Sequence, residues 1–175
     1  MANEAPNEKP NSANADGVFE PFAIQSVPWE TFSRGERFDM RFQHLSSFGG
    51  GTQISVSMEV LPPGRQASAS QAHFHMLEEE HVLVLEGSLT LRLGESSYDM
   101  PAGRYVCFPA GQKAGHALIN RTDHSCRYLV FGNPQPHDVA VFPDTGRVGV
   151  KLMGEGYRQA QSMAYCDGVD GDTPA

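Results

Sequence analysis

Hydrophobic residues in this chain recur at every second position over short stretches, and glycine or proline ends most of them. Phe38-Asp39-Met40-Arg41-Phe42 alternates, and Ile54, Val56, Met58 and Val60 line one face of a following stretch that stops at Pro62-Pro63-Gly64. A period of two marks a strand with one face buried, because successive side chains point to opposite sides. Leu89-Thr90-Leu91-Arg92-Leu93 repeats the pattern, turns at Gly94-Glu95-Ser96-Ser97, resumes at Tyr98 and Met100, and turns again at Pro101-Ala102-Gly103. Further strands are expected at 105–108, 117–119 and 127–131, and a last hairpin at 139–142 and 148–150 around Pro143-Asp144-Thr145-Gly146. Residues 46–52 read as a glycine-rich turn and residues 29–32 as a short helical turn. About ten short strands without helical periodicity between them predict an all-β fold, an antiparallel sandwich or small barrel.

Val82-Leu83-Val84-Leu85 is apolar on both parities, so one face meets the interior and the other needs a cover. An N-terminal strap or a second subunit would serve, and a homodimer is expected because a monomer rarely exposes a contiguous apolar face. The segments then divide into a disordered tail at 1–17, a strap at 18–35, a barrel with its C-terminal hairpin at 36–152, and a C-terminal tail at 153–175. For 175 residues one core suffices.

The formal net charge is −8 and no Lys/Arg cluster stands out, so nucleic acid and anionic membrane surfaces are excluded as expected partners. Cys107, Cys126 and Cys166 are odd in number and unpatterned, which gives no disulfide framework and suits a reducing compartment. With no secretory pattern or apolar span at hand, the cytoplasm is the expected location. Cys107, flanked by apolar residues, reads as a small core residue.

One stretch does not fit a plain core. QAHFHMLEEEHVLVLEG, residues 71–87, runs three imidazoles and four carboxylates into an apolar strand. Carboxylates beside a core must be solvated, paired or bound to metal. His73 and His75 share a parity, and if residues 76–79 form a loop, Glu80 re-enters on the face of Val82 and Val84. Glu79 is the alternative carboxylate, with Glu80 then at the rim. Downstream, His116 sits on a strand with Leu118 and Asn120 on its face. Three histidines and a carboxylate suit a divalent first-row transition metal. Gln71, Lys113, Arg92 and Tyr128 are candidates for contacting a substrate, while His44, His81, His124 and His137 read as surface or structural residues.

The order of these residues resembles the two motifs of the cupin superfamily. His73-Phe74-His75 is followed after four residues by Glu80 and after six more by Gly87; Gly103 is followed after five residues by Pro109-Ala110-Gly111, then by His116 and, after three residues, Asn120. Ala67 stands where the family usually has glycine, and four residues separate Gly111 from His116 where two are common. The resemblance covers residues 36–132. It implies a double-stranded β-helix, or jelly-roll barrel, with one divalent ion (zinc, manganese, iron or nickel) held by His73, His75, Glu80 and His116. It further implies a small-molecule substrate and isomerase- or epimerase-type chemistry on a sugar or sugar phosphate, as in sugar-phosphate-isomerase-like cupins. A non-catalytic small-ligand-binding cupin and an iron-dependent dioxygenase are the alternatives, and no catalytic acid or base besides the ligands is evident.

Overall fold

A computed structural model of the protein describes residues 13–67 and 72–159. Gln71, Cys166, most of the expected N-terminal tail and the end of the C-terminal one lie outside these residues.

The chain forms strands β1 (Glu30–Arg34), β2 (Phe38–His44), β3 (Ser55–Leu61), β4 (Phe74–His75), β5 (Glu80–Glu86), β6 (Ser88–Leu93) and β7 (Ser96–Pro101). These are followed by β8 (Tyr105–Phe108), β9 (His116–Ile119), β10 (Cys126–Gly132), β11 (Val139–Phe142), β12 (Arg147–Val150) and β13 (Glu155–Arg158). One sheet has the order β1-β2-β3-β10-β5-β8, a second β7-β6-β9, and a third β13-β12-β11-β4. All pairings between these strands are antiparallel. The result is the all-β architecture expected from the alternation, closed as the jelly-roll barrel that the resemblance implies.

Three local expectations are corrected. The helical turn placed at 29–32 is instead the start of β1, and the nearest helical turn is a 3-10 element at Ile24–Ser26. Pairing with β2 accounts for this: the ladder runs without a break from Glu30 opposite Phe42 to Arg34 opposite Phe38, and it outweighs local preference. Residues 46–52 are not a simple turn, because Leu45–Phe48 forms one turn of helix before the glycines. Residues 155–158, assigned to the C-terminal tail, form β13 and pair with β12.

Strand parity decides what faces the interior. On β3 the inward residues are Ser57, Glu59 and Leu61, which stand opposite Val130, Tyr128 and Cys126 of β10. Ile54 precedes β3, while Val56, Met58 and Val60 of the expected apolar face look outward. There Met58 is buried beneath the N-terminal segment, where Val27 is also buried and Gln43 Nε2 donates to the carbonyls of Ile24 and Val27. The inward apolar residues collect at one end of the barrel, where Leu61, Val82, Val84, Leu89, Leu91 and Cys126 are all nearly inaccessible. Burial of each larger side chain is worth roughly 1.5–3 kcal/mol, so this end stabilises the fold and leaves the other free to carry polar groups.

Gly132 shows how the two ends meet. It stands opposite Glu80 in the β5–β10 ladder, and a Cβ there would run into the Glu79 carbonyl oxygen. Only glycine lets β10 approach the point where the chain enters β5. Outside the barrel, Leu83, Leu85, Leu129 and Phe131 are half-buried rather than covered. Among the described residues no helix is long and apolar enough to cross a membrane.

Candidate metal centre

His73 and His116 are placed side by side by backbone pairing: each donates its N–H to the other's carbonyl, at 3.2 and 2.8 Å. Both side chains are buried, and their ring centroids are 4.5 Å apart. His75 follows on β4, which pairs with β11 through Ala140, and its ring centroid is 4.9 Å from that of His73. The common parity of His73 and His75 thus becomes a common location. Phe108 lies flat on His116 at 3.8 Å, and Phe142 stacks on His73 at 5.6 Å.

Glu80 opens β5 opposite Phe108 on one side and Gly132 on the other. Its Oε2 lies 3.2 Å from His116 Nε2 and 3.8 Å from His75 Nε2. Burial by itself would raise its pKa, but the hydrogen bond from His116 and the charges of His116, His73 and His75 hold it at about 2. His73, His75 and Glu80 offer ligand atoms that all lie within 4.8 Å of one another, and His116 adjoins them through Glu80. His116 Nδ1 is buried with no hydrogen-bond partner among the described residues.

Glu79 goes elsewhere. Its carboxylate meets His81 Nε2 at 3.0 Å on the outside of the sheet, where His81 Nδ1 reaches the Tyr105 hydroxyl at 2.6 Å. Cys107, expected in the core, is paired opposite His81 on that outer face and is half-buried. Inward parity is already taken by Val106 and Phe108, which pack with the core.

The residues fit a divalent cation, and the contacts behind them show how. Asp138 is buried, and its Oδ2 lies 2.5 Å from His75 Nδ1 while Oδ1 accepts the Leu77 N–H at 2.8 Å. A carboxylate there requires the proton on Nδ1, which leaves the lone pair of His75 Nε2 pointing toward Glu80. Burial would raise the pKa of Asp138, but the bonds from His75 and the Leu77 and Glu78 amides lower it below the ordinary value. Glu78, beside them, accepts the Gln135 N–H at 2.6 Å and pairs with Lys151. Asp138 was not legible in the sequence: it is 63 residues from His75, on a segment with no periodicity.

Glu59 was missed as well, because the alternation made Val56, Met58 and Val60 the buried face and so pointed Glu59 at solvent, whereas the barrel turns it inward. It lies between Phe42 of β2 and Tyr128 of β10. Burial raises its pKa to about 7; Tyr128 opposes that shift and Glu80 adds to it. Tyr128, a candidate substrate contact, is fully buried in the core, and its hydroxyl approaches Glu59 without forming a well-shaped hydrogen bond. A carboxyl whose folded pKa lies above its unfolded value stabilises in full below about 4.5, and that contribution is lost as pH rises through about 7. Glu59→Gln is therefore expected to flatten the pH dependence of stability and to gain on the order of 1–3 kcal/mol over wild type at pH 8. Urea unfolding at pH 5 and pH 8 checks this; an identical change between the two pH values in both proteins would refute it.

Of the other candidate contacts, Arg92 makes a two-pronged pair with Asp144 at 2.6 and 2.7 Å, tying the β11–β12 turn to β6. Lys113 is exposed and lines neither cavity beside the histidines. Gln71 lies outside the described residues. His73, His75 and Glu80 open into a cavity of about 350 Å³ that is also bordered by Ser57, Glu78, Val130 and Phe142.

Residues 57–132 match the model of a cupin domain. A solved structure from Silicibacter pomeroyi, described as a sugar phosphate isomerase of the cupin superfamily, is 27% identical, with a TM-score of 0.71 over 85% of this chain and 98% of its own. Another, from Acidithiobacillus ferrooxidans and provisionally described as a sugar phosphate isomerase, is 25% identical, with a TM-score of 0.66 over 72% of this chain and 80% of its own. A polyketide cyclase from Streptomyces resistomycificus is 20% identical with a TM-score of 0.55, covering 67% of this chain and 81% of its own, and shares the fold alone. No curated protein matches the chain.

Proposed function

We propose, from the match of residues 57–132 to a cupin domain and the likeness to a sugar phosphate isomerase of that superfamily, that the protein is a metal-dependent enzyme with isomerase- or epimerase-type chemistry on a sugar or sugar phosphate. The observation that carries the reading is the convergence of His73, His75 and Glu80, joined by His116, on a cavity of about 350 Å³. That size suits a small metabolite. A bound divalent ion supplies Lewis acidity toward a carbonyl or hydroxyl oxygen. The chain's own residues do the rest: Asp138 fixes the His75 tautomer, Phe108 and Phe142 hold the imidazole planes, and Glu78, which lines the cavity and pairs with Lys151, is the group we assign to take a proton from carbon. The half-buried outer face of Leu83, Leu85, Leu129 and Phe131 supports a homodimer.

The test is a set of zinc, manganese and iron forms incubated with aldoses, ketoses and their phosphates in deuterated water. Solvent deuterium at the carbon beside the carbonyl, together with an isomeric product, is the expected result. Saturable binding without exchange or product in any form would replace the reading by that of a binding protein. Oxygen consumption confined to the iron form would replace it by a dioxygenase.

A further inference from the structure

Beneath the C-terminal hairpin lies a second cavity, of about 410 Å³, which shares His75, Glu78, Ala140, Phe142 and Lys151 with the cavity of the ligand set. Its surface is mostly apolar, with Ala140, Phe142 and Val150 beside glycines of β12 and β13. The charged groups around it are not equivalent. Asp138 is engaged by His75 and the Leu77 amide, Glu78 by Lys151 and the Gln135 amide, and Glu155 by the Tyr157 hydroxyl. Arg147 alone among them has no carboxylate partner among the described residues, in contrast to Arg92 and Arg127, which are paired with Asp144 and Glu86. Its guanidinium carbon sits 3.8 Å over the Phe142 ring, the same ring that stacks on His73. Stacking fixes the plane of the guanidinium and leaves its N–H edge for a ligand, so little ordering remains to be done when an oxyanion binds.

We propose that Arg147 anchors an anionic group of the substrate, a phosphate ester, in the cavity beneath the hairpin, while the oxygens at the substrate's other end reach the histidine and glutamate set. A chain of net charge −8 repels anions at long range, which makes a locally uncompensated cation beside the site the feature that selects them. Only the role of the substrate's other end rests on the metal-dependent reading. The candidate substrate contacts Arg92 and Lys113 thereby give way to Arg147 of the hairpin.

The experiment titrates the full chain, metal-free in chelator and then metal-loaded, with glycerol 3-phosphate, glycerate and glycerol, followed by calorimetry. Wild type is expected to prefer the phosphate ester in both states, and Arg147→Gln to lose at least about tenfold in that preference, the factor carried by one charge-assisted hydrogen bond. Metal content of Arg147→Gln should equal that of wild type. An unchanged preference in Arg147→Gln, or glycerate binding as tightly as the phosphate ester, would overturn the proposal. A His73→Ala variant separates the two readings: if it keeps the phosphate preference after losing metal, the anion site stands whatever becomes of the isomerase reading.

Discussion

Glu80→Gln is expected to reduce bound metal from about one ion per chain to near zero, with a loss of thermal stability that chelator no longer deepens. Glu80 is the one anion among His73, His75 and His116, and with its pKa held at about 2 it is ionised throughout the physiological range. A divalent ion in this surround needs that charge, since imidazoles ligate a metal only in their neutral form and then offset none of its own. Glutamine keeps the shape and an oxygen but removes the charge, so lost metal reports electrostatics and not a packing defect. Because ligand binding adds to stability by mass action, the melting temperature of wild type should fall on chelation while that of the variant stays where it was. Elemental analysis and melting with and without chelator are the measurements. Unaltered metal stoichiometry in Glu80→Gln would refute the ligand assignment.

The second large effect belongs to a residue that touches no ion. Asp138→Ala is expected to weaken metal affinity by about 10–100-fold, the range for removing a group that orients a ligating histidine. It also leaves His75 Nδ1 and the Leu77 and Glu78 amides without their acceptor, at about 1–3 kcal/mol for a buried group left unsatisfied. The pH dependence has a definite sign. Asp138 has its folded pKa below the ordinary value, so its contribution is present above the unfolded value near 4 and is lost as pH falls through the depressed one. The stability gap between wild type and Asp138→Ala should therefore narrow in acid. A gap that widens below about pH 4, or metal affinity within a factor of about two of wild type, would refute the orienting role.

The sequence determined by itself that the chain is all-β, because the period of two and the turn glycines are local properties that survive without any knowledge of neighbours. It also placed His73 and His75 on one face and Glu80 after a short loop, since strand parity fixes which side chains share a side. Tertiary structure alone decided which groups stand around them. Asp138 comes from a distant, aperiodic segment, Glu59 owes its raised pKa to burial between Phe42 and Tyr128 on neighbouring strands, and Arg147, paired with Phe142 across the hairpin, is brought beside the histidines only by the stacking of Phe142 on His73. Parity is written in the order of residues, whereas desolvation and charge pairing depend on which strands lie next to one another, and that is set by the closing of the barrel.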